Sequence, residues 1–246
     1  MSGLSKNKIK WIRSLQLKKN RDELGLFLVE GEKMVTEAMR DFPEIIEEVY
    51  STTEINTQKF GKKIELISET ELAQISTLKT PNKSLAILRK ANNTETVKSK
   101  GLILALDGVQ DPGNMGTILR TADWFGIDTV VCSEDTADIY NPKVIQASMG
   151  SMLRMNVIYT SLEHYLASCD LPIYGALLEG ENVYQSSLAK GGVLVMGNEG
   201  KGIRSTIKPY INTPIHIPGF GKAESLNVAV ATGILLSEFK RTESNT

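Results

Sequence analysis

Three short segments rich in Gly and Asn contain most of the residues that could do chemistry. They cover residues 106–120, 195–203 and 217–228, and each follows a short apolar run and leads towards a helical pattern. An α/β enzyme builds a ligand site in this way, from backbone amides and a few polar side chains at the ends of buried strands. The three segments therefore predict a polar ligand site.

The second segment contains a glycine-rich loop, GNEGKG, at 197–202. It is not a Walker A loop, because Lys201 is followed by Gly rather than by Ser or Thr, and its glycines do not have the spacing of a dinucleotide fingerprint. A loop with so few Cβ atoms lets the backbone approach a flat ligand closely. The plainer alternative is a tight turn without function, which the later Ile217-Pro218 pair and Leu226 make less attractive.

In the first segment, Asn114 and Arg120 lie six residues apart beside two glycines. If the helix starts near Met115, Arg120 lies about one and a half turns into it, and both side chains project from the same strand-end region. A guanidinium there could hold a phosphate and stabilise negative charge that develops on an oxygen. The alternative makes Asn114 a helix N-cap and Arg120 a surface cation.

Three more polar candidates are Glu199, Ser225 and Asn227. A carboxylate inside a glycine-rich loop, such as that of Glu199, can order neighbouring amides or pair with Arg120. Ser225 and Asn227 stand where the last helical pattern begins, and both residue types are also ordinary helix caps. Spacing alone leaves both roles open for these two residues.

Together the three segments resemble the SpoU (TrmH-type) RNA ribose 2′-O-methyltransferases of the SPOUT superfamily. The resemblance rests on LDGVQDPGNMGTILR at 106–120, VMGNEGKGI at 195–203 and IPGFGKAESLNV at 217–228. It implies an α/β fold with a parallel sheet and a deep C-terminal trefoil knot. It also implies S-adenosylmethionine as the cofactor and a homodimer with the cofactor sites near the dimer interface.

The resemblance further implies roles for individual residues. It assigns catalysis to Arg120, supported by Asn114, Glu199, Ser225 and Asn227. It assigns the cofactor contacts to Val195, Met196, Gly197, Asn198, Gly200, Ile217, Pro218, Leu226 and Asn227. An arginine in water stays protonated, so the part that Arg120 plays in removing the proton of the ribose 2′-hydroxyl remains open. Because a sulfonium is already an activated methyl donor, no metal ion is expected.

Alternating strand and helix patterns have to position these segments. Apolar runs predict strands at 102–106, 129–132, 173–177, 193–196 and 215–217. Helical patterns run from about 118 to 125, from Asn141-Pro142 onwards, and from Ser225 or a neighbour towards Phe239. Such alternation indicates a parallel sheet, and we expect the catalytic domain to cover residues 101–246.

Residues 1–92 predict a separate, smaller α/β domain. Its strands are expected at 26–29, 47–50, 64–67 and 85–88, and its helices at 31–39 and 69–75. The polar stretch at 93–100 has no apolar period and is predicted to be a linker. The small domain resembles the ribosomal-protein-like RNA-substrate-binding domains that precede many SpoU catalytic domains.

The first residues of the chain are strongly basic, although the whole chain has a net charge of only −1. Residues 1–21 contain no acid, and their cations are Lys6, Lys8, Lys10, Arg13, Lys18, Lys19 and Arg21. Clustered cations can neutralise RNA phosphates even on a protein that is neutral overall, and Trp11 among them could stack on a base. The alternative is a solvated helix face with Trp11 turned towards the core.

The bulk composition excludes several classes of protein. With 41% hydrophobic and 23% charged residues, the 246-residue chain is typical of globular proteins with one large or two small domains. No apolar stretch reaches the roughly 18–20 residues of a membrane span, and the basic start lacks the apolar core of a signal peptide. Two cysteines and two histidines predict neither a disulfide framework nor a zinc site. A cytoplasmic location is expected.

The RNA itself is less well defined by the sequence. We expect 23S rRNA, because the two-domain form with a basic start is common among rRNA enzymes of the resembled family, and tRNA is the rival substrate. Two other classes stay open, namely a catalytically silent RNA-binding SPOUT protein and a small-molecule enzyme with a nucleotide cofactor. The intact polar candidates oppose the first. The second would need a phosphate loop paired with a downstream ribose-binding acid, which the sequence does not offer.

Overall fold

A computed structural model gives the fold and describes residues 3–55, 64–91 and 101–244. The predicted linker at 93–100 lies outside the described residues. The chain divides into two compact units, a first unit of Met1–Asn92 with Tyr140–Leu153 and a second unit of Asn93–Ile139 with Arg154–Thr246. Tyr140–Leu153, which the sequence places in the catalytic domain, therefore packs with the N-terminal residues instead.

The first unit contains a four-stranded sheet and short helices. Its strands are β1 (Leu26–Glu30), β2 (Ile46–Ser51), β3 (Ile64–Leu66) and β4 (Ser84–Arg89). Their order is β1-β4-β2-β3, with β4 antiparallel to both neighbours and β3 parallel to β2. All four predicted strands are confirmed. Its first four helices are α1 (Lys6–Ser14), α2 (Lys18–Leu24), α3 (Glu32–Asp41) and α4 (Glu69–Ile75).

The start of α4 shows how local sequence fixes a helix end. The Ser68 hydroxyl accepts a hydrogen bond from the Glu71 amide, while the Glu71 carboxylate accepts one from the Ser68 amide, which makes a reciprocal capping box. The same side chain accepts a hydrogen bond from the Leu4 amide at 2.6 Å. Glu71 therefore ties the residues before α1 to the start of α4.

Helix α6 (Pro142–Ser148) completes the first unit from a distant part of the chain. Asn141 caps it and Pro142 occupies its first turn, as predicted. Val144 and Ile145 are buried, and the Gln146 side chain donates a hydrogen bond to the Glu30 carbonyl at 3.1 Å. This packing against β1 explains why the segment leaves the unit in which its sequence neighbours lie.

The second unit contains a six-stranded sheet in which every strand pair is parallel. Its strands are β5 (Leu102–Asp107), β6 (Thr129–Cys132), β7 (Asn156–Tyr159), β8 (Ile173–Asn182), β9 (Gly192–Gly197) and β10 (Thr213–His216), in the order β10-β8-β9-β5-β6-β7. Its helices are α5 (Pro112–Trp124), α7 (Leu162–Ala167) and α8 (Val228–Ser244). The predicted parallel sheet is confirmed, and β7 is an edge strand that the sequence analysis missed.

The central strands β5 and β9 are buried along their whole length, as their continuous apolar runs predict. Ile103, Val193 and Val195 lie in one apolar cluster and are at most 1% exposed. The sheet core thus lies directly beneath the loops that leave the carboxyl ends of these two strands. No helix among the described residues combines the length and apolarity that crossing a bilayer requires.

Two helix starts differ from the prediction. Helix α5 begins at Pro112, three residues before Met115, because the Asp111 carboxylate accepts a hydrogen bond from the Asn114 amide at 2.8 Å. Asp111 is therefore the N-cap, and Asn114 lies inside the first turn. Helix α8 begins at Val228, where the side chain of the preceding residue caps it.

Strand β8 lies between β9 and β10 and contains a bulge. Tyr174 pairs with both Leu194 of β9 and Thr213 of β10, so these residues are level. Further along, β8 inserts extra residues, and Gly180 lies where an added Cβ would be 2.5 Å from the Ile215 nitrogen. Only glycine allows this close backbone approach. The segments after β9 and β10 leave the sheet at the same end, on either side of β8.

Candidate active site

Three predicted site residues from three distant segments form one hydrogen-bonded chain. The Asn227 side-chain nitrogen donates to Asn114 Oδ1 at 2.9 Å, and the Asn114 side-chain nitrogen donates to Glu199 Oε1 at 3.0 Å. Asn114 lies in the first turn of α5, Glu199 in the loop after β9, and Asn227 immediately before α8. The structure therefore brings these three residues together, and we call them the polar chain.

Both ends of the polar chain fix the orientation of its amides. Asn227 Oδ1 accepts hydrogen bonds from the amides of Ala229 at 2.9 Å and Val230 at 3.3 Å, which turns its side-chain nitrogen towards Asn114. An ionised Glu199 can only accept a hydrogen bond, so the Asn114 nitrogen must face it. The start of α8 thus determines how the Asn114 amide is presented.

Asn198 shapes the glycine-rich loop from within. Its amide and carbonyl exchange hydrogen bonds with Gly202 at 3.0 and 2.9 Å, and its side-chain oxygen accepts from the amides of Gly200 and Lys201. Its side-chain nitrogen donates to the Gly108 carbonyl at 2.7 Å, beyond the end of β5. Asn198 was predicted as a cofactor contact, and its polar groups are engaged in holding the loop closed.

Gly197 is required by the return of the loop onto the end of β9. A Cβ added there would lie 2.3 Å from backbone atoms of Gly202 and Ile203, which no side chain tolerates. Gly202 has a φ of 67°, in the left-handed region that favours glycine. These glycines are therefore needed for the shape of the loop, whatever it binds.

The apolar residues predicted around the cofactor fall into two groups. Val195 and Met196 are 0% and 2% exposed, so their side chains pack in the sheet core and leave the main chain as the part that could face a ligand. Their role as cofactor contacts stays a prediction. Ile217 and Pro218 are half-buried, and Leu226 is 49% exposed, so these three can face a ligand.

The main chain of the loops is open at several of their glycines. A Cβ added at Gly219 or Gly221 would meet nothing within 4 Å, and at Gly200 the nearest atom would be 3.8 Å away. Apolar side chains and open backbone are what pockets for nucleoside-like molecules mostly present. Residues 197–202, 217–218 and 226 therefore fit the S-adenosylmethionine that the resemblance implies.

Arg120 does not join the polar chain. It is exposed and forms no hydrogen bond or ion pair with any residue that the structure describes, and Glu199 bonds to Asn114 rather than to Arg120. Each residue turns an α-helix by about 100°, so Arg120 lies about 240° round α5 from Asn114. The predicted projection of both side chains from one region is wrong within a single copy of the chain. Ser225 is also exposed, and no described residue hydrogen-bonds to it.

Sequence analysis missed an ion pair between the end of β5 and the residues that follow the glycine-rich loop. Asp107, at the end of β5, has a fully buried side chain that accepts hydrogen bonds from the amide and guanidinium of Arg204. The hydrogen bond to Asp107 raises the pKa of Arg204 above its usual value. An acid at the end of an apolar run and an arginine two residues after the glycine-rich loop were the signals available.

The basic N-terminal residues are mostly exposed in the first unit. Lys8 pairs with Glu48 at 2.6 Å and lies 4.3 Å from the centre of the Trp11 ring, which is partly buried against the core. The exposed cations among them are Lys6, Lys10, Arg13, Lys18 and Lys19. These five remain available for phosphates.

Arg21 is the exception among the basic residues. It is 2% exposed, and its guanidinium donates hydrogen bonds to the carbonyls of Leu15 at 3.1 Å and Gln16 at 2.8 Å. Its prediction as an RNA contact is therefore wrong in this structure, because the side chain is used to hold the turn between α1 and α2. Among the described residues, no group of His, Cys, Asp and Glu side chains could hold a metal ion.

Known protein families match both units. A sequence model of the SpoU rRNA Methylase family matches residues 101–237, and one of the MRM3-like substrate binding domain matches residues 6–86. The chain belongs to the SpoU rRNA methylase family. The predicted family, its S-adenosylmethionine-dependent RNA methyltransferase activity and an N-terminal substrate-binding domain are thereby confirmed.

Individual relatives extend over most of the chain. It is 33% identical over 236 residues to the 23S rRNA (guanosine(2553)-2′-O)-methyltransferase RlmP of Bacillus subtilis, which covers 93% of this chain and 94% of that protein. It is 35% identical to RlmB of Neisseria meningitidis, a 23S rRNA (guanosine-2′-O-)-methyltransferase, over 60% of this chain and 61% of that one.

Two solved structures are similar along nearly the whole chain. A TrmH-family protein from Porphyromonas gingivalis is 38% identical with a TM-score of 0.88, and the match covers 98% of this chain and 100% of that one. An AdoMet-bound rRNA methyltransferase from Sinorhizobium meliloti is 28% identical with a TM-score of 0.86, over 98% and 97% of the two chains. Both support the α/β fold with its parallel sheet.

Proposed function

We propose that the protein methylates a ribose 2′-hydroxyl of 23S rRNA with S-adenosylmethionine. The polar chain of Asn227, Asn114 and Glu199 carries the proposal, because it gathers predicted site residues of three segments beside the glycine-rich loop. The Bacillus subtilis relative, similar over 93% of this chain, is named for 2′-O-methylation of a 23S rRNA guanosine. That likeness favours rRNA over tRNA, and the cytoplasm as the place of action.

S-adenosylmethionine would supply a methyl group that its sulfonium already activates for transfer, with a neutral thioether as the leaving group and no need of a metal ion. The main chain of the loop at 197–202 would hold it, together with Ile217, Pro218 and the half-exposed Leu226. The apolar side chains exclude water from the reacting atoms. Because the loop is already closed by Asn198, little of it has to be ordered when the cofactor arrives.

The residues of the polar chain orient the ribose. Glu199 uses one carboxylate oxygen on Asn114, so Oε2 can accept a hydrogen bond from the 2′-hydroxyl. The Asn114 and Asn227 amides are held in fixed orientations and keep that carboxylate in place. Ser225, exposed two residues before Asn227, can donate a further hydrogen bond to the sugar. Fixed donors and acceptors align the attacking oxygen at little entropic cost during the reaction.

A homodimer is part of the same proposal, because it accounts for the position of Arg120. The exposed side of α5 carries Arg120 and, one turn later, Trp124, which is 84% exposed. Beside them lies a shallow cavity of about 520 Å³ between α5 and α8, lined by Thr117, Thr121 and Val230 among others. A second copy seated on this face would cover the apolar surface. Arg120 would then reach the polar chain of the partner and hold the target phosphate.

The C-terminal trefoil knot also belongs to this proposal, on the resemblance to the family.

The first unit would bind the rRNA, since it matches a substrate-binding domain and exposes a cluster of lysines along α1 and α2. Phosphate contacts of this kind position an RNA without reading its sequence. The choice of nucleotide would then depend on RNA shape around the target.

Methylation of RNA from a strain that lacks the gene tests the function directly. Purified protein and S-adenosylmethionine with a labelled methyl group are incubated with ribosomal RNA or with tRNA from that strain. We expect label on a ribose 2′-oxygen of 23S rRNA, at one position that is unmodified in the mutant strain. Label found only on tRNA would contradict the proposal that 23S rRNA is the substrate. Failure to bind S-adenosylmethionine at millimolar concentration would contradict the proposed reaction.

A further inference from the structure

Asp107 is a fully buried carboxylate at the carboxyl end of the central strand β5. Its side chain is 0% exposed, in a position where an acid without partners would be strongly unfavourable. Arg204 satisfies it twice, with its backbone amide on Oδ2 at 2.8 Å and its guanidinium Nε on Oδ1 at 2.5 Å. Hydrogen bonds between charged groups in this geometry are the stronger kind.

The pair lies at the two ends of the glycine-rich loop. Asp107 is opposite Gly197 in the pairing of β5 with β9, and Arg204 lies two residues after Gly202, the last residue of the loop. Asn198, the second residue of the loop, donates a side-chain hydrogen bond to the carbonyl of Gly108. Both ends of the loop are thus fastened to two consecutive residues, 107 and 108.

The segment that follows β6 also contacts Gly108 and Arg204. The Ser133 hydroxyl accepts a hydrogen bond from the Gly108 amide at 2.8 Å and donates one to Asp135 at 2.6 Å. Asp135 lies 3.7 Å from the Arg204 guanidinium and adds a second negative charge beside it. The hydrogen bond from Ser133 lowers the pKa of Asp135.

We propose that Asp107 and Arg204 are positioning residues that set the affinity for S-adenosylmethionine by holding the glycine-rich loop in its binding shape. A loop of this composition has more conformational freedom to lose than an ordinary one. An ion pair at its ends removes that freedom before the cofactor binds, so less affinity is lost on binding. Neither side chain needs to touch the cofactor for this effect. The inference rests on the proposed function.

Titration of the full-length protein with S-adenosylmethionine tests the inference. Arg204→Ala should raise the Kd for the cofactor by roughly ten- to hundredfold, the range expected for a charged hydrogen bond. Arg204→Lys should recover part of that loss, because it keeps the charge and the backbone amide but not the planar guanidinium. The KM for the cofactor should rise by a larger factor than kcat falls.

Arg154→Ala is the matched control, because Arg154 forms an Arg–Asp ion pair with Asp123 in the same unit at 2.6 Å. It should lower stability towards urea without changing the Kd for the cofactor. A purely structural role for Arg204 predicts that both variants behave in this way. Cofactor binding by Arg204→Ala within twofold of the wild type would overturn the inference.

Asp107→Asn provides an independent test, read together with the double variant Asp107→Asn/Arg204→Ala. If the two side chains act as one unit, the Kd of the double variant for the cofactor should be about equal to the higher of the two single-variant Kd values. Independent, multiplying effects would contradict the inference. If Asp107→Asn or Arg204→Ala does not fold, Arg204→Lys decides, since it leaves a cation beside the buried carboxylate and should still bind the cofactor more weakly than the wild type. A wild-type protein that binds no cofactor would instead refute the proposed function.

Discussion

Asn227 and Asn114 are joined by a hydrogen bond of 2.9 Å between side chains that lie 113 residues apart in the chain. The bond couples the start of the last helix to the first turn of α5, and through Asn114 it reaches Glu199. Asn227 therefore has two functions, as the cap of α8 and as the residue that orients Asn114. The two functions can be separated by mutation.

Asn227→Asp should abolish most activity while leaving the fold intact. A carboxylate still caps α8, since Asp is as good an N-cap as Asn, but it no longer donates to Asn114 and repels Glu199. We expect kcat/KM to fall by about 10²-fold or more, the usual effect of losing one oriented donor, with little change in the free energy of unfolding measured in urea. Asn141→Asp, the same change at the cap of α6, is the control and should keep full activity.

Arg120→Ala should lose about 10²–10⁴-fold in turnover, with cofactor affinity unchanged. Mixing this variant with Asn114→Ala tells which copy each Arg120 serves. If Arg120 acts on the partner's site, half of the sites in a mixed dimer combine two intact residues, so randomly mixed subunits should recover roughly a quarter of wild-type activity. Recovery no greater than that of each variant alone would place Arg120 in the site of its own chain.

Stability towards acid should depend on Glu71. Hydrogen bonds from the Ser68 amide, then from the Leu4 amide, lower its pKa below the usual value of 4.5. A group whose pKa is lower in the folded protein stabilises the fold above the unfolded pKa, and this contribution is lost as pH falls through the folded pKa. Urea melts between pH 6 and 3 should therefore show a smaller loss of stability for Glu71→Gln than for the wild type. Glu69→Gln, in the same turn, should melt like the wild type.

The exposed and buried cations of the first unit should respond differently to mutation. Lys18→Ala and Lys19→Ala should weaken RNA binding and lower the dependence of log Kd on log salt by about 0.7–0.9 for each RNA phosphate that the variant no longer neutralises. Arg21→Ala should instead cost about 2–4 kcal/mol of stability. It removes the side-chain donor to two carbonyls and leaves a buried cavity. Filter binding at several salt concentrations and urea melts distinguish the two effects. If the slope of log Kd against log salt were the same for the Lys18→Ala, Lys19→Ala and Arg21→Ala variants, this would argue against α2 as an RNA-binding surface.

Local patterns predicted most of the elements, since strand runs and capping residues act within a few positions. The start of α5 was misplaced because Asn114 is also a good cap, and only the structure shows that Asp111 takes that role. Strand β7 was missed because it lies at the sheet edge, where only Val157 is fully buried and the apolar run is short. The interpretation of Arg21 failed because charge was taken as a sign of exposure.

The candidate site was predictable in composition but not in connectivity. Motif resemblance named Asn114, Glu199 and Asn227, but which amide faces which partner depends on the cap of α8. The bond between Asp107 and Arg204 spans 97 residues, and no local pattern pairs an acid with one arginine among many. Pairings of this kind follow from the order of strands in the sheet, which spacing along the chain does not specify.

The excursion of Tyr140–Leu153 has a consequence for how such a protein can be divided or recombined. The chain passes between its two units three times, so a cut within 93–100 does not separate them. A fragment starting at Gly101 would carry Val144 and Ile145 without the β1 strand that covers them, and would tend to aggregate. Exchanging the front half for that of another family member would require α6 to travel with it. The two units are therefore not modules that can be exchanged by a single junction within 93–100.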